Sequence, residues 1–315
     1  MSKQLVVIAL GGNAILQPGQ KGTFEEQYEN VKTTCAQLAK MVLSGNYKIV
    51  VTHGNGPQVG NLLLQNDIAK DTIPPMPLDV CGAQSQGFIG YMIQQALHNH
   101  FVDAGRADIP VATVVTQVIV DQHDPAFQNP TKPVGAFYSE AKAKQLEAEK
   151  GFVMKEDAGR GWRRVVPSPQ PLDIYEKEVV KHLLSARNVV ITSGGGGIPV
   201  MEQNQKLIGI EAVIDKDRSG EILAECVDAD VLLILTDVDC VKINYGKPDE
   251  QNLSQVNVSQ ANQYADEGHF AAGSMGPKVE ACIRFAEQGK RAVIASLNEA
   301  FEALEGKAGT TFLPD

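Results

Sequence analysis

The chain predicts an α/β fold: a mostly parallel central sheet with helices on both faces, plus a small inserted subdomain. Three observations lead there. Short Val- and Ile-rich runs alternate with helical stripes along most of the 315 residues, as in a parallel sheet covered on both faces. The alternation breaks between Asp121 and Pro171, where Pro125, Pro130, Pro133, Pro167, Pro169 and Pro171 crowd the chain, and this marks an inserted flap. Beyond Pro171 the alternation resumes. One domain over residues 1–315, with the insertion at about 121–171, is the expected organisation.

Each element has a local reason. Leu5 to Leu10 is an unbroken apolar run, hence a buried strand, and Gly11-Gly12 ends it. Tyr28, Val31, Cys35, Leu38 and Val42 fall at helical steps and draw one stripe, closed by Gly45. Lys48 to Thr52 is the second strand and Gln58 to Lys70 the next helix. Pro74-Pro75-Met76-Pro77 turns the chain into a long helix, about Asp79 to Ala104, loosened by Gly82, Gly87 and Gly90. Val111 to Val120 is a single strand. The insertion holds one helix, about Ser139 to Lys150, and two strand-like runs around Phe152 and Val165. A helix at Ile174 to Ala186, a strand at Asn188 to Thr192 and a hairpin to Ile214 follow. Next come a helix to Val227, a strand at Val231 to Leu235 and a polar hairpin through Asn244-Tyr245-Gly246-Lys247-Pro248. Helices near Ser259 and Pro277, strand Ala292 to Ala295, a short helix and strand Thr310 to Leu313 complete the order.

With 28 Lys and Arg against 38 Asp and Glu, the formal net charge is −10, opposite to the basic footprint that nucleic acid or an anionic membrane requires. Neither is expected as a partner. The five cysteines (Cys35, Cys81, Cys226, Cys240, Cys282) are odd in number and widely spaced, with no C-x-x-C. Reduced thiols are expected, rather than disulfides or a zinc site. The apolar run before Gly11 is shorter than the ~7–15 residues of a signal-peptide core. No apolar stretch approaches the ~18 residues of a membrane span. A cytoplasmic protein is the expectation.

In open parallel sheets, ligands bind beyond the carboxyl ends of the strands. Three predicted strands lead there into glycine loops: Gly11-Gly12-Asn13-Ala14, His53-Gly54-Asn55-Gly56-Pro57-Gln58 and Ser193-Gly194-Gly195-Gly196-Gly197-Ile198-Pro199. A glycine pair alone reads as a tight turn. Three such loops favour phosphate or small-anion binding by backbone N–H groups. The pattern G-x-x-x-x-G-K-[ST] is absent from them, and Val59 stands where the dinucleotide fingerprint needs glycine. A nicotinamide-dependent oxidoreductase therefore rests on fold analogy alone.

Lysines supply the second half of the pattern. Lys216 is bracketed by Asp215 and Asp217 where an apolar hairpin meets a helix, and either aspartate is equally a helix N-cap. Lys278 follows Pro277 in the first turn of a helix, where a cation is unfavourable unless an anion offsets it. Lys132 lies on backbone stiffened by Pro130 and Pro133, and singly reads as a solvated lysine. His53 abuts a glycine loop, in reach of a ligand, yet neither H-E-x-x-H nor G-x-S-x-G occurs. No metal-ligand spacing appears. Glycine loops and lysines without a strong base suit phosphoryl transfer to an already ionised oxygen, which needs positioning and charge neutralisation.

These residues also carry a resemblance. Ala9-Leu10-Gly11-Gly12-Asn13-Ala14 and His53-Gly54-Asn55-Gly56-Pro57-Gln58-Val59-Gly60-Asn61 resemble the amino acid kinase superfamily, and within it the carbamate kinase family. Met76-Pro77-Leu78-Asp79, Asn129-Pro130-Thr131-Lys132-Pro133, the block Glu156 to Arg163 around Trp162, Val166-Pro167-Ser168-Pro169, Gly194 to Pro199, Val213-Ile214-Asp215-Lys216-Asp217 and Gly273-Ser274-Met275 extend the likeness from Val6 to about Ala295. It implies an amino acid kinase-like αβα sandwich and reversible phosphoryl transfer between ATP and carbamate, giving ADP and carbamoyl phosphate. Net flow toward ATP in arginine catabolism is implied with it. By resemblance, Lys132, Lys216 and Lys278 contact phosphates, with Asp217 orienting Lys216. Gly11, Gly12, Asn13, Gly54, Asn55 and Gly56 hold the phosphoryl group and carbamate. The adenine pocket lies near Asp237, Val238 and Tyr245, and the insertion carries Lys132 over the site as a lid. A homodimer is implied, as is Mg²⁺ held largely by nucleotide phosphates.

Two rivals use the same residues. One is a kinase of the superfamily acting on an N-acylated amino acid or a nucleoside monophosphate, against which the Trp162 block argues. The other is a nucleotide sensor without catalysis, against which the presence of all three lysines argues.

Overall fold

A computed structural model of the chain describes residues 3–157, 159–271 and 274–315. Ala158 and Gly273, which fall in two of the motifs above, lie outside the described residues. The chain begins with β1 (Gln4–Leu10), α1 (Phe24–Leu43), β2 (Tyr47–His53), α2 (Gly56–Ala69) and α3 (Leu78–Asp103). Next are β3 (Val111–Thr113), β4 (Gln117–Val120), β5 (Lys132–Tyr138), α4 (Glu140–Lys150), β6 (Val153–Glu156) and β7 (Trp162–Val166). β8 (Pro171–Ile174), α5 (Lys177–Ser185), β9 (Val189–Ile191), β10 (Ile198–Gln203), β11 (Lys206–Gly209), α6 (Lys216–Cys226) and β12 (Val231–Thr236) follow. The last part holds β13 (Val241–Ile243), β14 (Gln251–Leu253), β15 (Gln255–Asn257), α7 (Val258–Asp266), α8 (Met275–Glu287), β16 (Arg291–Ser296), α9 (Ala300–Leu304) and β17 (Thr310–Leu313).

The main sheet has eight strands in the order β15-β17-β16-β12-β1-β2-β9-β3. Every pairing in it is parallel except β16 with β17. β1 shows why its sequence is apolar without alternation. Val6, Ile8 and Leu10 enter one buried cluster, shared with α1 and α3. Val7 and Ala9 enter the other, shared with α6 and α8. A strand buried on both faces has no polar side to show. α1 buries the predicted stripe of Val31, Cys35, Leu38 and Val42. It starts at a capping box in which Thr23 and Glu26 satisfy each other's backbone N–H groups. From β1 the chain first steps to β2 on one side, and β12 later docks on the other. This reversal of strand order is the crevice where such sheets bind ligands.

Three elements differ from the sequence expectation. The stretch from Val111 to Val120 is two strands in two sheets: β3 edges the main sheet, and β4 lies in a four-stranded sheet, β11-β10-β4-β8. The break falls at Thr116, whose backbone N–H and carbonyl are both bound by the buried Gln86 side chain, a long-range contact that local propensity does not contain. The helix expected from Ile174 starts at Lys177, because Pro171–Ile174 pairs with β4 as β8. In the insertion, Lys132–Tyr138 is a third strand beyond the two runs expected, and it contains Pro133. It survives because β5 is an edge strand of the sheet β5-β7-β6, where a missing N–H costs no ladder bond. The strands and helix of the insertion lie within Lys132–Val166, and Pro171 belongs to the four-stranded sheet. The hairpin before α6 forms as expected. β10 and β11 pair antiparallel around Asn204 and Gln205, both with φ near +60° (52° and 61°), as a two-residue turn between twisted strands requires.

Candidate active site

A cavity of about 710 Å³ opens at the carboxyl ends of β1, β2, β12 and β16. That is ample for a small-molecule site. Gly11, Gly12 and Asn13 after β1 line it, as do Gly54, Asn55 and Gly56 after β2, Thr236 and Asp237 at the end of β12, and Ser296 to Asn298 at the end of β16. Lys132, Lys216 and Lys278 reach it from β5, α6 and α8. Each loop is tied to the end of a neighbouring strand by a backbone bond: Gly11 N–H donates to the Leu235 carbonyl of β12 at 3.0 Å, and Gly54 N–H to the Leu10 carbonyl of β1 at 3.1 Å. A Cβ on Gly11 would stand 3.0 Å from the Leu235 oxygen, so glycine there permits the close seam between β1 and β12.

The charged side chains form a chain of contacts. Lys216 Nζ donates to Asp217 Oδ1 at 2.5 Å, and Lys278 Nζ to Asp217 Oδ2 at 2.8 Å. One carboxylate thus holds two ammoniums side by side. Asp215 takes the N-cap of α6, accepting from the Asp217 N–H at 3.0 Å, and its other oxygen accepts from Lys132 Nζ at 2.8 Å. The open choice of N-cap resolves to Asp215. Asp217 stands two positions later and serves the lysines.

Burial and charge act against each other at each of these groups. Burial raises the Asp217 carboxyl, and the ammoniums of Lys216 and Lys278 outweigh it, leaving it lowered to about 2. Burial lowers Lys216 more strongly than Asp217 raises it, and the positive charge of Lys278 lowers it further. Burial also lowers Lys278, but there Asp217 prevails and the net shift is upward. For Asp215, burial raises and Lys132 prevails in lowering it. Each ammonium has three N–H donors and spends one on its carboxylate, so each keeps donors for an anion while its position is already set.

The third glycine loop is different from the expectation. Gly195 alone of its four glycines lines the cavity. Here the glycines make room for neighbours rather than ring an anion. A Cβ would stand 2.4 Å from His53 Nε2 at Gly194, 2.1 Å from Asn55 Nδ2 at Gly195, 2.4 Å from the Ile214 oxygen at Gly196, and 2.2 Å from a Val118 methyl at Gly197. His53, placed by sequence in reach of a ligand, is buried beneath this loop and is not on the cavity wall. Its Nδ1 pairs with the Gly54 carbonyl at 3.0 Å, and burial lowers it to about 4, so the ring is neutral. Gly195→Ala, at φ +67°, is expected to cost about 2–4 kcal/mol through left-handed strain and overpacking. Gly12→Ala, where nothing among the described residues lies within 4 Å, should melt like the parent. Thermal unfolding of the two variants checks this.

Of the remaining predicted residues, Asn13 Nδ2 donates to Asp237 Oδ2 at 3.2 Å and both line the cavity. Val238 is half-buried and Tyr245 is 73% exposed, and neither forms its wall. Sequence reasoning did not single out Asp215 as the partner of Lys132, nor Ser296 to Asn298. The signal for the latter was their place after a parallel strand. Among the described residues, no three His, Cys, Asp or Glu side chains gather as a metal site. No helix among them is long and apolar enough to cross a membrane.

Known proteins match this chain over nearly its whole length. Residues 4–296 match the model of the amino acid kinase family. The carbamate kinase of Thermococcus kodakarensis is 61% identical over 308 residues, covering 97% of this chain and 98% of that protein. The carbamate kinase of Pyrococcus horikoshii is 57% identical over 312 residues, covering 98% and 99%. The structure of carbamate kinase from Giardia lamblia bound to AMP-PNP superposes with a TM-score of 0.94 at 49% identity, over 100% of this chain and 99% of that one. The chain belongs to the amino acid kinase family, on its carbamate kinase branch.

Proposed function

We propose that this chain exchanges a phosphoryl group between ATP and carbamate, giving ADP and carbamoyl phosphate, and that its net flow runs toward ATP in arginine catabolism. The observation that carries the reading is the bridged trio Lys216–Asp217–Lys278, which holds two ammoniums at the end of the β1–β12 crevice. The carbamate oxygen is ionised before it reacts, so its attack on the terminal phosphorus needs no general base. A neutral, buried His53 is consistent with that. Negative charge on the phosphoryl oxygens is met by Lys216 and Lys278, kept apart and aimed by Asp217. Backbone N–H groups of Gly12 and Gly56, with Asn13 and Asn55, hold the phosphoryl group and carbamate, while Gly11 and Gly54, whose N–H groups are spent on the Leu235 and Leu10 carbonyls, shape the loops around them.

Lys132 reaches the cavity from the inserted subdomain and acts from a lid that spans about 121–171. The adenine lies beyond the cavity rim, toward Val238 and the exposed Tyr245. Mg²⁺ held by the nucleotide phosphates would neutralise part of their charge. Asp237, the cavity-lining carboxylate that is not paired with a lysine among the described residues, is the side chain placed to add an oxygen to it. The protein acts as a homodimer in the cytoplasm. Exposed Leu172, Tyr175 and Val179 support a further interface, and five free thiols support a reducing compartment. Mixing the protein with ADP, Mg²⁺ and carbamoyl phosphate is expected to form ATP, read by a coupled assay. No ATP above the uncatalysed rate would overturn the reading.

A further inference from the structure

Ser85 lies on α3, fully buried, and is not on the cavity wall. Its Oγ is 2.7 Å from the Gly82 carbonyl oxygen and 2.8 Å from the Asn55 side-chain amide. A carbonyl has no proton, so the one hydroxyl hydrogen goes to Gly82 and the Ser85 oxygen is left to accept. The amide must then turn its NH₂ to Ser85. Reversed, it would set two acceptor oxygens against each other at hydrogen-bond distance. The amide also lies against the Gly195 backbone, where a Cβ would stand 2.1 Å from Nδ2 and 2.7 Å from Oδ1, so it has no room to swing to that side. The remaining end is Oδ1. Among the described residues it meets no donor, yet it is not among the buried atoms left without a partner. It therefore keeps open surface, on a residue that lines the cavity between Gly54 and Gly56.

We propose that Ser85 is a positioning residue: by fixing the Asn55 amide it turns Oδ1 to the acceptor, so the site selects a carboxylate bearing N–H over one bearing a methyl group. This rests on the proposed exchange and deepens it by naming what the site reads. An oxygen lone pair accepts a hydrogen bond from the amino group of carbamate or carbamoyl phosphate. A methyl group in the same place leaves the lone pair desolvated and unmatched.

The test compares kcat/KM for ATP formation from carbamoyl phosphate and from acetyl phosphate, at saturating ADP and Mg²⁺, with the melting temperature of each variant recorded. The parent is expected to prefer carbamoyl phosphate by at least about tenfold. In Ser85→Ala that preference falls by about tenfold, all of it lost on carbamoyl phosphate. Ser85→Thr, which keeps the hydroxyl, retains it. Should Ser85→Ala fail to fold, Asn55→Ser gives the same readout. An unchanged preference, or an equal loss on both phosphates, overturns the proposal. A parent that uses both phosphates equally overturns this inference alone, whereas a parent inactive with carbamoyl phosphate overturns it together with the function it rests on.

Discussion

Lys216→Ala and Lys278→Ala are each expected to lower turnover by about 10²–10³-fold while the protein stays folded. The two ammoniums sit on one carboxylate, at 2.5 and 2.8 Å, with side chains only 16% and 14% exposed. Their N–H donors are therefore set before substrate arrives, and water competes for them poorly. Removing either takes a preorganised charge from the phosphoryl oxygens at the moment their charge spreads. The fold should tolerate the loss of Lys216 in particular. Burial lowers its pKa, so its charged form is disfavoured by folding, and Asp217 keeps Lys278 as partner. Steady-state rates of ATP formation, with circular dichroism on the same samples, provide the measurement. Near-parental turnover in either variant would remove that lysine from the mechanism.

Asp217→Asn is expected to be worse for the fold than for any single contact it makes. The carboxylate is 4% exposed and bridges two buried ammoniums. Neutralising it leaves two like charges adjacent and unpaired, a change of about 3–5 kcal/mol. The melting temperature should drop, and ADP with carbamoyl phosphate should recover more of it than in the parent, because the added anions replace the lost charge. The pH behaviour follows in sign. The Asp217 carboxyl is lowered to about 2 from its ordinary 3.8, so its stabilisation is complete above pH ~4 and is lost as pH falls toward 2. The difference is on the order of 2 kcal/mol. Denaturant midpoints of parent and variant should converge across that window. A constant gap between them would show that Asp217 does not stay ionised as the trio requires.

The loops and lysines were legible in the sequence for different reasons. Gly11-Gly12 and Gly54 to Gly56 follow apolar strands directly, and parallel-sheet geometry puts such loops at one edge. Lys278 stands in the first turn of a helix, where a bare cation is unfavourable, and Lys216 is bracketed by two carboxylates beside an apolar hairpin; both local anomalies are visible without coordinates. Ser193 to Gly197 misled by the same logic. Its glycines answer to His53, Asn55, Ile214 and Val118, partners far away in sequence that only packing brings close. β5 went unread because a strand holding a proline has little local signal, and the edge position that accommodates Pro133 is set by β7.

Local pattern alone therefore determined the α/β class, the order of most elements and the two loops with Lys216 and Lys278 of the candidate site, because periodicity, glycine and neighbouring charge act over a few residues, whereas Lys132 entered only through the family resemblance. The folded chain decided the pairings. Asp217 was free to cap a helix or hold one lysine until α6 and α8 packed together and gave it two. Asp215 acquired Lys132 from a strand 83 residues away. The Asn55 amide met Ser85 on another helix, 30 residues away. Such choices depend on distances of a few ångströms between remote segments, and these exist only once the sheet has brought the segments together.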